Sequence, residues 1–360
     1  MERFDFAIVG AGMAGASLAA HLAGKASVLL LEAEAAPGYH ATGRSAAFWT
    51  ESYGGPGVQP LTTASGPFLR DMGFLRPRGA LTIARGGQED ELARFVGRFA
   101  ALGVRIESLG RAEMETLVPG LRPGWTRAAL EPDCCDIDVA GLHTHYLAQA
   151  RRGGAVLWCA ATLAEARKAP QGWWLTLADG RSAVCGVLVD AAGAWADEVA
   201  RRAGVAPLGI APFRRTMAQV RVTPGVPASV PLVLDLAERF YFKPEAGRVW
   251  LSPHDETPSV PCDAAPEELD VATAIDRMEQ VVDWRIESVE HRWAGLRSFA
   301  PDRLPVYGFD SREPSFFWFA GQGGFGIQTA PAAAMLGAKL LVGEGGIAVD
   351  PARYVPSRFG

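Results

Sequence analysis

An apolar segment at the start of the chain predicts a strand, a glycine turn, a helix and a second strand. Phe6–Val9 is apolar, small and apolar residues continue to Leu22, and Ser27–Leu31 is apolar again before Glu32. In this context one glycine permits the tight turn, the next lets backbone N–H groups approach a pyrophosphate, and the third lets the helix pack against the strand. The pattern predicts a dinucleotide site at Gly10, Gly12, Ala14, Gly15 and Glu32. The alternative is an ordinary tight turn in a parallel sheet.

A similar order of elements returns near the other end of the chain. The apolar run Phe316–Ala320 predicts a strand, Gly321–Gly326 a glycine turn, and Ile327–Val342 a helix. No strand ending in an acid follows this helix, so the ribose acceptor of a second nucleotide site is missing. We therefore expect this turn to direct backbone donors at negative charge on the same cofactor.

The segments between these ends predict two kinds of structure. Cys185–Val189 reads as a buried strand that ends in the small-residue stretch Asp190–Trp195, and open α/β sheets bind ligands at such strand ends. In contrast, Val220–Val222, Phe240–Lys243 and Val249–Ser252 alternate as antiparallel strands do. A helix is expected over 266–284, with Leu269, Ala272, Ile275 and Met278 on one face.

These elements predict an α/β fold, α+β overall, in which a Rossmann-type cofactor domain carries an inserted β-rich substrate domain. We assign 1–73, 140–208 and 292–360 to the cofactor domain. The substrate domain takes 74–139 and 209–291.

Composition narrows the classes of function. The chain has 360 residues, 49% of them hydrophobic, and a net charge of −5 without a basic stripe, which argues against nucleic acid as a partner. No apolar run approaches the roughly eighteen residues that span a bilayer. Five cysteines without a CxxC pair indicate a reducing, cytoplasmic location. His143 and His145 lie two apart on a predicted helix and face different ways, so we expect no metal site.

Small residues also surround one arginine in the stretch from Thr42 to Ala47. Such a cluster suits backbone packed against a flat or charged ligand. The alternative is a turn followed by a helix start, with Ser45 as its cap.

Four separated motifs together resemble the FAD-dependent amine and amino-acid oxidoreductases, the family that includes D-amino-acid oxidase, glycine oxidase and sarcosine oxidase. The chain is most similar to the bacterial D-arginine dehydrogenase type. The motifs, in chain order, are Pro37–Ala47, Asp190–Trp195, Trp293–Phe299 and Gln322–Gln328.

The resemblance implies FAD as the cofactor, where the residues alone left the dinucleotide open. FAD is expected to be non-covalent, because Trp293–Phe299 contains no cysteine that could attach it. The residues implied in its binding, beyond the opening turn, are Thr42, Arg44, Ser45, Ala46, Ala47, Ala192, Gly193, Trp195, Gly323, Gly324, Gly326, Ile327 and Gln328.

The resemblance also implies an active site. Arg297 matches the arginine that pairs with the substrate carboxylate, for which a planar fork is better suited than an ammonium. Tyr53 matches a lid tyrosine, Tyr241 a strand tyrosine, and Arg215 a further active-site arginine. The alternatives are a buried ion pair for Arg297 and core packing for the tyrosines.

The implied reaction is hydride transfer from the substrate Cα to the flavin, which yields a 2-oxo acid and ammonia after hydrolysis, with a quinone or oxygen as electron acceptor. Phe48 stands where the D-arginine dehydrogenase type has a histidine, and Arg78 stands where it has a glutamate for a cationic side chain. If Arg78 faces the pocket, the substrate is neutral or acidic. Phe48, Arg78 and Gly324 are the residues expected in the substrate pocket. The alternatives are an oxidoreductase of 2-hydroxy acids or N-methyl amino acids, and a non-catalytic flavin-binding protein.

Overall fold

A computed structural model describes residues 2–346 and 348–360 of the chain, which form a mixed α/β fold. The helices and strands, in chain order, are β1 (Glu2–Val9), α1 (Met13–Leu22), β2 (Val28–Leu31), β3 (Phe48–Trp49), α2 (Gln59–Asp71), β4 (Leu75–Pro77), β5 (Ala80–Arg85), α3 (Glu89–Ala100), β6 (Glu107–Gly110), α4 (Arg111–Leu117), β7 (Trp125–Glu131), β8 (Cys135–Ile137), α5 (Val139–Arg152), β9 (Val156–Trp158), β10 (Leu163–Ala169), β11 (Gly172–Leu177), β12 (Ser182–Asp190), α6 (Ala196–Arg202), β13 (Ala211–Thr223), β14 (Leu232–Asp235), β15 (Tyr241–Glu245), β16 (Arg248–Ser252), β17 (Thr257–Pro258), α7 (Glu268–Glu279), β18 (Arg285–Phe299), β19 (Val306–Phe309), β20 (Phe316–Ala320), β21 (Gln322–Gly323) and α8 (Ala330–Val342).

The first sheet is parallel at its centre, in the order β9-β2-β1-β12-β20. The antiparallel strands β10, β11 and β19 extend it. Because the central strands run the same way, the turns after β1, β2, β12 and β20 meet at one edge. The opening glycine turn, Glu32, the stretch from Ala192 to Trp195 and the second glycine turn therefore lie at the carboxyl edge of this sheet.

Helices rich in alanine and glycine cover one face of the first sheet. Helix α1 packs against α5 and α8, and its buried residues include Ala16, Ala19 and Ala20. The close approach of α8 depends on Gly337, where an added Cβ would lie 2.7 Å from the Phe319 ring. Small side chains thus hold this helix layer close to the cofactor edge.

The second sheet has ten strands and is mostly antiparallel, with the path β21-β18-β13-β16-β15-β14-β5-β7-β6. Its longest pairing joins β13 to β18, from Ala211 opposite Phe299 to Thr223 opposite Arg285. A third, small sheet has the strand order β3-β8-β4. The second sheet contains strands from both segments assigned to the substrate domain, but β18 runs unbroken across the proposed boundary at 291/292.

Most strands and helices that the sequence predicts are present within a few residues of the expected bounds. The predicted helix over 266–284 is shorter, ending at Glu279, and two of the four residues of its predicted buried face, Leu269 and Ala272, are exposed, whereas Ile275 and Met278 pack as expected. Leu269 is 73% exposed and Ala272 is exposed, whereas Val271, Ala274 and Met278 are buried. A helical stripe can equally well be formed by residues 271, 274, 275 and 278, and this is the face that packs against the second sheet. Helix α2 and the full length of β18 have no counterpart among the predicted elements.

Candidate active site

The opening glycine turn forms a cradle of backbone at the end of β1. Gly10 has φ +102°, and an added Cβ would lie 2.5 Å from the Ala191 carbonyl oxygen. At Gly15 an added Cβ would lie 1.8 Å from the Gly10 carbonyl oxygen. No side chain fits at either position, so the turn brings backbone close to β12 and to its own helix.

Glu32, at the end of β2, lies against this turn and is 8% exposed. Its Oε2 accepts a hydrogen bond from the Ala11 amide at 3.1 Å, and its Oε1 accepts one from the Glu34 amide at 3.0 Å. Two backbone donors therefore fix the carboxylate while it lines the cavity described below.

The segment from Ala41 to Ala47 crosses the N-terminus of α1 and is tied to the second sheet. The Thr42 hydroxyl accepts a hydrogen bond from the Met13 amide at 2.9 Å. The Arg44 guanidinium donates to the carbonyl oxygens of Ala264 and Ala294 at 2.9 and 3.0 Å and pairs with Asp263. Arg44 thus lines the cavity while its charge is already neutralised, so it joins two parts of the chain rather than presenting a free cation.

One cavity of about 440 Å³ runs along these segments. At one end it is lined by Glu32, Thr162 and Glu198, and in the middle by the glycine turn, the segment from Thr42 to Ala46, and Ala192, Gly193 and Trp195. At the other end its walls are Gly323, Gly324, Gly326, Ile327, Arg215, Met217, Tyr241 and Arg297.

A second cavity, of about 350 Å³, adjoins the first at Arg297, which lines both. Tyr53, His254, Phe325 and Arg303 are among its walls. We call the first the cofactor cavity and the second the outer cavity. Their shared wall makes Arg297 the junction between them.

Arg297 belongs to β18, opposite Phe213 of β13, and Gly295 lies opposite Arg215. Opposed residues of an antiparallel pair share a face, so both arginines project to the same side. The Arg297 Cζ lies 5.7 Å from the centre of the Tyr53 ring. An added Cβ at Gly324 would lie 2.7 Å from that Cζ, so the glycine leaves the space that the guanidinium fills. Among the described residues, Arg297 forms no ion pair with a carboxylate.

Arg215 is 4% exposed and only partly satisfied. Its Nε donates to the Asp255 carbonyl oxygen at 2.7 Å, and one terminal nitrogen lies 3.4 Å from Glu256 Oε1. The other terminal nitrogen, Nη1, has no hydrogen-bond partner among the residues that the structure describes. A buried guanidinium with an unused donor on the cavity wall favours an anionic or carbonyl ligand.

The two predicted tyrosines occupy different cavities. Tyr241 lines the cofactor cavity, and its hydroxyl donates only to Met217 Sδ, a weak acceptor, at 3.1 Å. Tyr53 lines the outer cavity. Phe48 packs between them, with ring centres 5.1 Å from Tyr53 and 5.8 Å from Tyr241, and does not line either cavity.

His254 is a site residue that the sequence analysis missed. Its Nε2 lies 3.5 Å from the Tyr53 hydroxyl, and its ring centre lies 5.7 Å from that of Tyr241. Burial, together with Arg215 and Arg297, lowers the pKa of His254 to about 2, so the imidazole is neutral. A lone histidine after Pro253 carries no local signal of this role, because Arg215, Tyr53 and Arg297 reach it from distant segments.

Several residues predicted for the site do not line the described cavities. Gly15 packs α1 against the turn. Ala47 has φ +59° in the chain that leads to β3. Gln328 is 3% exposed and donates to the Tyr53 carbonyl oxygen at 3.2 Å and to Thr62 Oγ1 at 2.9 Å. Gln328 therefore holds the Tyr53 segment.

The expectation that Arg78 faces the substrate pocket was wrong. Its guanidinium pairs with Asp136 at 2.6 Å and donates to the carbonyl oxygens of Ala228 and Val230. Asp136 also pairs with Lys243 at 2.7 Å. The partly buried Asp136 carboxylate draws Arg78 away from both cavities, so its charge says nothing about the substrate.

Within residues 2–346 and 348–360, no group of three or more His, Cys, Asp or Glu side chains is arranged to hold a metal ion. No described helix has both the length and the apolar character needed to cross a bilayer.

The fold and the cofactor cavity define a dinucleotide-binding α/β protein. The family model described as FAD dependent oxidoreductase (DAO) matches residues 5–340, and the chain belongs to this family. It is a FAD-dependent oxidoreductase.

Solved structures share the fold across the whole chain. Glycine oxidase from Geobacillus kaustophilus is 23% identical, with 99% of each chain covered and a TM-score of 0.87. L-Proline dehydrogenase from P. horikoshii is 20% identical, covers 99% of this chain and 98% of its own, and has a TM-score of 0.87. L-α-Glycerophosphate oxidase from Mycoplasma pneumoniae, solved with FAD bound, is 18% identical, with 95% of each chain covered and a TM-score of 0.86.

The residues present fit FAD. The cradle at Gly10 excludes side chains, Glu32 is held by two amides at one end of the cavity, and Gly323 and Gly324 expose backbone at the other. A helix N-terminus behind Gly12 favours a pyrophosphate. The cofactor cavity could therefore hold an extended dinucleotide, and Arg297 and Tyr241 are among the residues that line it.

Proposed function

We propose that the protein catalyses the oxidative deamination of D-amino acids with a neutral or acidic side chain, yielding 2-oxo acids and ammonia. The observation that carries this proposal is Arg297, which stands at the junction of the two cavities without a carboxylate partner among the described residues. A guanidinium fork in that position is suited to a substrate carboxylate, with two parallel hydrogen bonds. The structural alternative is a buried ion pair, and the described residues include no carboxylate paired with Arg297.

In this mechanism FAD, when bound, accepts the hydride from the substrate Cα. Arg297 binds the substrate carboxylate, and the Tyr241 or Tyr53 hydroxyl donates to its second oxygen. Arg215 Nη1 supplies a further donor at the wall of the cofactor cavity. These contacts fix the position of Cα, and positioning of this kind can lower a barrier by several kcal/mol.

The proposed side-chain preference rests on the charges around the junction. Arg215, Arg297 and Arg303 lie near it. The outer cavity also contains four carboxylates: Glu256 pairs with Arg215 and Arg303, Asp235 with Arg239 and Asp302 with Arg358, and the fourth is Glu238. A cationic side chain there would meet like charge, and like-charge contacts cost several kcal/mol. The preference for the D-enantiomer is supported by the four sequence motifs that resemble the D-arginine dehydrogenase type.

The remaining parts of the proposal concern the cofactor, the acceptor and the location. FAD is held non-covalently, with release on acid precipitation as the check. Either a quinone or oxygen reoxidises the flavin, and stopped-flow reoxidation in air distinguishes them. A cytoplasmic location is supported by five cysteines without a disulfide in the described residues.

Anaerobic reduction of the bound flavin tests the proposed function. The holoenzyme is mixed with matched D- and L-amino acids, N-methyl amino acids and 2-hydroxy acids, and bleaching of the flavin spectrum is followed. We expect D-amino acids with neutral or acidic side chains to reduce it fastest. Reduction by N-methyl amino acids or 2-hydroxy acids alone would establish the corresponding alternative. A flavin that no substrate reduces would support a non-catalytic flavin-binding role.

A further inference from the structure

Glu131, at the end of β7, is a buried carboxylate that accepts hydrogen bonds from one short segment of the chain. It is 2% exposed. Its oxygens accept hydrogen bonds from Thr50 Oγ1, Ser52 Oγ and the Glu51 amide, each at 2.6 Å, and from the Ser52 amide at 3.3 Å. No cation pairs with it among the described residues. Because a buried carboxylate without a cation is costly, these donors must account for its stability.

The same segment is held from a second direction by Gln328. The Gln328 amide donates to the Tyr53 carbonyl oxygen at 3.2 Å, and its Oε1 accepts from the Thr50 amide at 3.4 Å. Glu131 belongs to the second sheet, whereas Gln328 follows the glycine turn after β20. Two distant parts of the chain therefore fix the four residues from Thr50 to Tyr53.

Tyr53 is the last residue of this fixed segment. Gly54 and Gly55 follow with φ +97° and +78°, and an added Cβ at Gly54 would lie 2.9 Å from the Phe325 ring. The Tyr53 ring lies 5.2 Å from that of Phe325 and 5.7 Å from the Arg297 Cζ. Its position against Arg297 thus depends on the segment that precedes it.

We propose that Glu131 is a positioning residue: by accepting hydrogen bonds from Thr50, Glu51 and Ser52, it fixes Tyr53 against Arg297 and so sets the affinity for the substrate carboxylate. This inference rests on the proposed function. If Glu131 acts by positioning Tyr53, its effect on the Kd requires the Tyr53 side chain, whereas a general structural role would not.

A double-mutant cycle separates these two roles. Glu131→Gln replaces one acceptor oxygen by an amide donor, so either the Glu51 amide, which donates to Oε1, or the Ser52 amide, which donates to Oε2, loses its acceptor. We expect the apparent Kd for the amino acid in anaerobic flavin reduction to rise roughly tenfold, with the limiting reduction rate changed less than about threefold. In a Tyr53→Phe background the same substitution should raise the Kd less than about threefold, because residues that act together are not additive.

Asp310→Asn is the matched control. Asp310 is also buried, at 8% exposure, and its carboxylate accepts from Trp318 Nε1 and the Arg312 and Glu313 amides at 2.9 to 3.0 Å, away from both cavities. We expect it to lower thermal stability without changing the Kd. An equal rise in Kd for Asp310→Asn, or a full tenfold rise for Glu131→Gln in the Tyr53→Phe background, would overturn the proposal.

Hydrogen exchange of the holoenzyme supplies a readout that needs no substrate. Glu131→Gln should speed exchange of the Glu51 or the Ser52 amide at least tenfold, with no change around residue 310. Unchanged exchange would refute the role of Glu131. If amino acids do not reduce the wild-type flavin, the proposed function fails, and exchange still decides whether Glu131 fixes the segment. If Glu131→Gln does not fold, Ser52→Ala removes one of the bonds from the opposite side and should shift exchange and Kd in the same directions.

Discussion

The two ends of the cofactor cavity are built in different ways. On the nucleotide side, the glycine turn brings backbone so close to β12 that no side chain fits at Gly10, and this turn and Glu32 belong to one continuous segment of the chain. At the substrate end, contacts come from the side chains of Arg215, Tyr241 and Arg297, carried by strands far apart in sequence. The first end serves a cofactor common to a family, and the second selects what that cofactor oxidises.

The largest expected effect tests the backbone end. Gly10→Ala places a Cβ 2.5 Å from the Ala191 carbonyl oxygen, in a conformation with positive φ. We expect loss of FAD from the purified protein, measured as the ratio of flavin to protein absorbance, with affinity reduced by at least ~100-fold.

Gly24→Ala is the control for this prediction. Gly24 also has positive φ, +85°, but nothing lies within 4 Å of its added Cβ. It should cost about 1 kcal/mol of stability and retain FAD. Equal loss of FAD in both variants would show that backbone strain, and not the close approach to β12, is the reason that FAD binding requires glycine at position 10.

An intermediate effect concerns Arg78, a charge near the substrate end that does not line either cavity. Arg78→Met breaks its bonds to Asp136 and two carbonyl oxygens. We expect about 3 kcal/mol lower stability by denaturant unfolding, because a partly buried carboxylate loses one of its two cations. The ratio of kcat/KM between neutral and cationic amino acids should stay within about twofold of wild type. A large gain in kcat/KM for cationic amino acids would show that Arg78 does face the substrate pocket.

A smaller effect concerns the pH dependence of stability. Burial, Arg215 and Arg297 lower the pKa of His254 to about 2 in the folded protein. In the unfolded chain the pKa of His254 returns to its ordinary value of about 6.5. The contribution of neutral His254 to the free energy of unfolding is therefore complete above about pH 6.5 and is lost as pH falls towards 2. His254→Asn removes this titration, and asparagine tolerates the φ of +55° at that position.

Unfolding at pH 8 and pH 5 checks this prediction. Between these values, wild type should lose about 2 kcal/mol more stability than the His254→Asn variant. Equal losses in the two proteins would mean that His254 titrates normally in the folded state.

The same comparison explains what the sequence could predict. The glycine turns, their strands and the edge of the sheet where they meet follow from local pattern, because glycine spacing and apolar runs are read within a few residues. Arg297, Tyr53, Tyr241 and Arg215 were named through family resemblance, and the structure brings them to adjoining cavities.

Other features had no local signal. Arg78 was expected in the pocket because it stands where the D-arginine dehydrogenase type has a glutamate, and nothing in its neighbourhood reveals its partner Asp136, which lies 58 residues away. His254 and Glu131 were missed for the same reason, since their partners come from other sheets or loops. Side-chain direction at the substrate end depends on pairings such as β13 with β18, which tertiary packing decides.

One measurement tests the central claim, that Arg297 binds the carboxylate of an amino-acid substrate. Wild type and Arg297→Met are compared in anaerobic flavin reduction by a D-amino acid and by the amine that lacks only its carboxylate. Arg292→Met, an exposed arginine on the same strand, is the control. We predict that the variant loses at least ~100-fold in kcat/KM with the D-amino acid and less than about threefold with the amine. Equal losses with both substrates, or no loss with the D-amino acid, would contradict the account.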